Sequence, residues 1–301
     1  MVVGLHGRFL QDISSLGSYL TVNGLFRIAV PVFLIINGFY FYTVLKKKSQ
    51  VTWLKRVTIL YVVWMTFYSF FFYSLPDFSL IGLAKLLKHL ILGYLHLWYI
   101  AGMIGAALLV IVLSKLSSIL LLVSVILTFL LGVTIQYLAH YYVVEDRLHA
   151  LLNETWFHRN MFLFSYPFFC IGYLIRKHKL HENLSIKSAA LLSFFGLLVL
   201  SFESFLNFCK FGIDGSFDNL LSLILVCPFI FIFFLKYPVV GSSKNLTLYS
   251  TAIYFIHPLF LKGFIQFTQF DKTILTIATI MASVAASYFL IQLNSKLKIL
   301  L

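Results

Sequence analysis

Residues 118–139 read SILLLVSVILTFLLGVTIQYLA, a stretch without a single charge. At 1.5 Å per residue it makes a helix of about 33 Å, enough for a hydrocarbon core of about 30 Å. Its apolar residues run on without the alternation a membrane β-strand needs, so a closed barrel is excluded. A helix is what remains, because lipid offers the backbone no hydrogen-bond partner. Working outward, similar blocks occupy 24–45, 57–75, 96–114, 159–175, 188–207, 219–235, 247–267 and 273–293. With 118–139 they predict an all-α, polytopic transmembrane bundle of nine complete spans. Residues 78–95 carry Lys85, Lys88 and His89 and are amphipathic, which places them at the membrane surface. The opening MVVGLH reads as the stub of a tenth, N-terminal helix, with about 15 further residues upstream to complete a span. The other reading is a short re-entrant start.

Composition agrees. The 301 residues are 61% hydrophobic and 11% charged, with a mean hydropathy of +0.96. A soluble domain carries about 25% charged residues, so there is too little polar surface here for a water-soluble particle. A secreted disulfide scaffold, a disordered chain and a soluble enzyme are excluded. The net charge of +13 does not call for nucleic acid, because the basic residues lie between apolar blocks, where membrane topology accounts for them. Three cysteines make no framework and read as free thiols. No cleavable signal peptide is visible.

Orientation follows from lysine and arginine in the short loops. One set of loops and the C-terminal tail holds fourteen of them, including Lys46, Lys47, Lys48, Arg176, Lys177 and Lys244; the opposite set holds nine. Eight of the ten acidic residues fall in the second set. The first set, with the C-terminus, is expected in the cytoplasm. Residues 7–23, 76–95, 140–158, 208–218 and 268–272 are expected outside.

Polar and ionisable residues inside spans are costly and are functional candidates by default. Arg27 stands near the outer end of its helix, four residues before Pro31, which leaves the Arg27 carbonyl without a helical partner. Asn37 lies deeper in that helix. His96 and Trp98 open one span, Arg159 and Asn160 another, and Glu203 lies near the outer end of a third. Ser250, Tyr254 and His257 share one helix face, and Pro258 frees the Tyr254 carbonyl. Each residue has a plainer reading. His96 and Trp98 also suit interfacial anchors, Arg159 a snorkelling side chain, Arg27 with Glu203 a structural ion pair, and His257 a packing histidine. No phosphate-binding loop, dinucleotide fingerprint or H-E-x-x-H is present. The nine histidines lack metal-ligand spacing, so no metal site is expected.

Four stretches in order resemble the membrane acyltransferase-3 family. They are FRIAVPVFLIINGFYFY (26–42), HLWYI (96–100), RNMFLFSYPFFCIGYLI (159–175) and STAIYFIHPLF (250–260). The third is most similar to the branch that acetylates surface or lipid-linked polysaccharides. The resemblance implies a single integral-membrane acyltransferase domain over 1–301, in a bacterial inner membrane. It implies transfer of an acyl group, most simply acetyl, from acyl-CoA to a glycan hydroxyl, with membrane lipids around it and no bound cofactor. It also implies that His6 is the catalytic base, joined by Arg27 and Arg159. Asn37, His96, Trp98, Asn160, Glu203, Ser250, Tyr254 and His257 are then expected to bind substrate. Asn37 departs from the family's usual serine.

The residue types suit that chemistry. A hydroxyl nucleophile needs a base, for which histidine is apt, and the developing oxyanion needs cationic or N–H donors. The arginines fit either that role or the donor's phosphates. A transporter or flippase of a lipid-linked glycan would also place polar groups in the bundle, without a thioester donor and without a need for His6.

Overall fold

The computed structural model describes residues 1–72, 79–142, 146–238 and 243–301, and every element among them is helical. Parts of the expected outer loops, at 76–78 and 143–145, and the side chains of Arg147 and Lys244 lie outside the described residues.

Among the described residues, six helices are long and apolar enough to cross a membrane: Ser15–Lys46, Leu95–Leu113, Ser118–Tyr141, Ile186–Asp214, Asn245–Phe267 and Lys272–Leu297. The expectation of nine complete spans is therefore met only in part. The other three blocks are helical but differ in kind. Gln50–Phe72 opens with Lys55 and Arg56 and is rich in tyrosine, tryptophan and threonine. The 161–177 block is broken by a π-helical turn, Met161–Ser165, ahead of Tyr166–Lys177. Leu223–Lys236 has 14 residues, about 21 Å of helix. Residues 80–92 form the amphipathic helix Leu80–Leu92, none of whose residues is buried.

The bundle centres on the 29–46 and 166–177 helices. Without a hydrophobic force between helices in lipid, close backbone approach supplies the attraction, and small residues permit it. Here the approach is reciprocal. Gly38 lies against the Phe169 carbonyl and Gly172 against the Ile35 carbonyl, and a Cβ on either glycine would collide with the partner backbone. These are the glycines of the 26–42 and 159–175 motifs.

Loop contacts form at both ends of the bundle. At one end Lys236 donates to the Glu182 carbonyl at 3.4 Å and Arg176 meets His181 at 3.1 Å. At the other, Arg27 bonds Ser216 at 2.8 Å, Lys88 pairs with Glu154 at 3.2 Å, and Asp12 accepts from the Thr273 amide at 2.9 Å. Residues 2–7 form a helical turn and a half packed on the last two helices, with Gly7 against Thr276.

The Ser15–Lys46 helix is irregular near its start. A π-helical stretch, Tyr19–Gly24, passes into a 3-10 turn, Leu25–Ile28, before regular helix begins at Ala29. Pro31 is the third residue of the regular segment, and it has no N–H to offer the Arg27 carbonyl. The distortion lies one turn earlier, where it carries Arg27.

Candidate active site

Arg27 is aimed by that distortion and held by three side chains. Its Nη2 donates to Asn23 at 2.7 Å and to Ser216 at 2.8 Å, and its Nη1 pairs with Asp218. Arg159 ends the short helix Thr155–His158 and reaches the same carboxylate, Nη1 to Oδ2, at 3.1 Å. Its guanidinium lies 4.7 Å from the Trp98 ring centre. His158, buried beneath it, has Nε2 at 3.9 Å from Asp218 Oδ2. Two guanidiniums share one carboxylate, which leaves a net positive charge. Asp218 takes one Nη of Arg159, whose side chain stays 26% exposed.

Arg27, Arg159 and Asp218 line a cavity of about 50 Å³ together with His6 and Trp98. The His6 ring centre is 5.4 Å from that of His257, and His96 stands at the same distance on another side of His257. His257 Nδ1 lies 2.8 Å from the Tyr254 carbonyl and 3.1 Å from that of Ile253. Those partners only accept, so Nδ1 carries the proton and Nε2 holds a lone pair. That Nε2 is buried without a hydrogen-bond partner, as are both ring nitrogens of His96. Buried polar atoms in native structures are ordinarily paired, so these three imidazole nitrogens are free to accept or donate to a polar group that reaches them.

A polar line leads inward from the imidazoles. The Tyr254 hydroxyl donates to the His96 carbonyl, and its ring meets that of Tyr99 at 5.7 Å. The Tyr99 hydroxyl accepts from Asn37 Nδ2 at 2.9 Å. Ten residues of helix separate Asn37 from Arg27, about 15 Å along the axis.

The structure thus brings His6, Arg27, Trp98 and Arg159 to one cavity, sets His257 beside His6 and His96 beside His257, and joins Tyr254 and Asn37 to them by the polar line. The other three expected binding residues do not join. Asn160 Oδ1 caps the π-helical turn, accepting from Phe162 N at 2.9 Å and Leu163 N at 3.0 Å. Glu203 accepts the Tyr137 hydroxyl and the amides of Leu221 at 2.7 Å and Ser222 at 2.8 Å, so it caps Leu223–Lys236. It is not the partner of Arg27. Ser250 faces a separate apolar cleft.

Asp218 and His158 escaped the sequence reading. Asp218 stood at the last position of an expected outer loop, and His158 just before an expected span. The usable signal was charge: two arginines at span ends, with Glu203 as the only acid inside a span, called for a carboxylate from a loop.

Among the described residues, imidazoles and guanidiniums thus gather at one place in the helical bundle. A family model described as an acyltransferase domain matches residues 1–292, and the chain belongs to that family, acyltransferase-3. No curated protein and no solved structure matches the chain.

Proposed function

We propose that this acyltransferase moves an acetyl group from acetyl-CoA to a hydroxyl of a cell-surface or lipid-linked glycan in a bacterial inner membrane. The observation that carries the reading is the shared cavity of His6, Arg27, Arg159 and Asp218.

His6 takes the proton of the acceptor hydroxyl, and the hydroxyl oxygen attacks the thioester carbon. The carbonyl electrons move onto oxygen, and the arginines, only partly neutralised by Asp218, stabilise that oxyanion. When it collapses, the carbon–sulfur bond breaks. The CoA thiolate leaves and recovers the proton from His6, while the acetyl group stays on the glycan oxygen. His257, with its Nδ1 proton fixed, presents an accepting Nε2 beside His6 and can hold the proton in transit.

The lysine and arginine asymmetry supports a cytoplasmic C-terminus, with the cavity in the outer half of the membrane. The donor arrives from the cytoplasm, so its pantetheine arm must reach inward, and the line from Asn37 through Tyr99 and Tyr254 to His96 offers polar partners along that route. Radiolabelled acetyl-CoA with a membrane glycan extract tests the reading: base-labile label on the glycan is expected. Movement of lipid-linked glycan without labelling would favour a flippase.

A further inference from the structure

Two polar clefts adjoin the catalytic cavity at its outer end. One shares Leu5 and Arg27 with the cavity, has a volume of about 200 Å³, and is lined by Arg8, Gln11, Ser18 and Ser216 among others, with no aromatic side chain. The second shares Trp98 and Arg159 with the cavity, has a volume of about 290 Å³, and is lined by Lys88, Tyr94, Glu154 and Trp156. We infer that this second cleft is the acceptor's sugar subsite, with Trp156 as the stacking face and the Glu154–Lys88 pair reading the hydroxyls. The inference rests on the proposed transfer to a glycan and says where and how that glycan is held.

A pyranose has two chemistries, an apolar face of C–H groups and a rim of hydroxyls. A site for it needs a flat aromatic surface beside charged hydrogen-bonding groups. The cleft has both, and it orders them. Glu154 Oε2 accepts from Trp156 Nε1 at 2.9 Å and from Lys88 Nζ at 3.2 Å. Lys88 Nζ also lies 5.1 Å from the Trp156 ring centre. The carboxylate therefore fixes the indole plane while remaining 52% exposed, and Lys88 remains 46% exposed, so both can still meet a ligand. Tyr94 on the opposite wall is tied to Lys262 through its hydroxyl at 2.8 Å.

Size and connection point the same way. Ligand pockets begin at about 300 Å³, so the cleft suits one sugar residue with the rest of the glycan outside. It shares the stacked Trp98 and Arg159 with the cavity that His6 lines, so a sugar seated on Trp156 lies next to that cavity. The aromatic-free cleft offers no face for stacking.

The test uses the full chain in lipid nanodiscs, labelled acetyl-CoA and a dilution series of membrane glycan extract. Trp156→Ala is expected to raise the half-saturating amount of extract about tenfold, the loss of a stacking contact of roughly 1.4 kcal/mol, with the KM for acetyl-CoA unchanged. Trp156→Phe should restore most of the affinity, and Gln11→Ala in the other cleft should leave it as in the wild type. An unchanged half-saturation in Trp156→Ala, or a rise with Gln11→Ala instead, overturns the assignment while leaving acyl transfer intact. A wild-type chain that labels no glycan would contradict the acyl-transfer reading and this inference with it.

Discussion

The carbonyl of Tyr254 accepts the Nδ1 proton of His257 at 2.8 Å. Pro258, four residues after Tyr254, makes this possible, because proline has no N–H to claim that carbonyl. The carbonyl freed by Pro258 thus fixes an imidazole tautomer and leaves Nε2 as an acceptor beside His6. Pro258→Ala returns an N–H that competes for the carbonyl. Acyl transfer is expected to fall several-fold, with helix content by circular dichroism unchanged. Wild-type transfer in Pro258→Ala would show that the tautomer of His257 does not matter.

Asp218 holds Arg27 and Arg159 together. Breaking a buried ion pair by removing one partner costs about 3–5 kcal/mol, and two cations would be left facing one another. Asp218→Asn is expected to lower the thermal unfolding temperature clearly and to abolish transfer. Glu203→Gln should also destabilise, through loss of a helix cap, but should leave more activity. A reversed order of activities would restore Glu203 to the site.

Arg159 contacts both Asp218 and the Trp98 ring through a planar guanidinium. A lysine keeps the charge but not the fork or the stacking plane. Arg159→Lys should insert and purify normally and lose most transfer. Full activity would mean that Arg159 only reaches toward the membrane surface.

Asp12 lies in the loop between residues 2–7 and the span that begins at Ser15, and ties that loop to the last helix. The Thr273 hydroxyl, at 2.6 Å, holds its carboxyl below the usual carboxylate range, with the Thr273 amide adding to the effect. A depressed folded value means that this contact stabilises fully above the unfolded value of about 3.9 and is lost as pH falls through the folded one. The unfolding temperature of the wild type should therefore drop as pH falls below about 4, more steeply than that of Asp12→Asn. Parallel pH profiles would remove Asp12 from the stability of this contact.

Most of the fold was legible because hydropathy alone dictates it: 118–139 admits no other reading. Span number was less legible. Gln50–Phe72 and Leu223–Lys236 depart from a plain apolar span of twenty residues, the first in composition and the second in length. The site was legible where residues sit in spans and in motifs, as with His6, Arg27, His96 and Arg159. It was not legible where a loop folds back. Asp218 lies 191 residues from Arg27 in the chain, and no local pattern brings them together. Asn160 and Glu203 lie outside the cluster for a related reason, since a polar side chain inside a span serves equally to hold the backbone where a helix begins.

The central claim is that His6 is the base. Transfer of label from acetyl-CoA to glycan by His6→Ala, measured beside His257→Ala and the wild type, tests it most directly. A positioned base contributes roughly 10²–10⁴-fold, so His6→Ala should fall by that factor at unchanged expression and helix content, with His257→Ala milder. Near wild-type transfer by His6→Ala, with none by His257→Ala, would contradict the account and place the base on the Tyr254–His257 face.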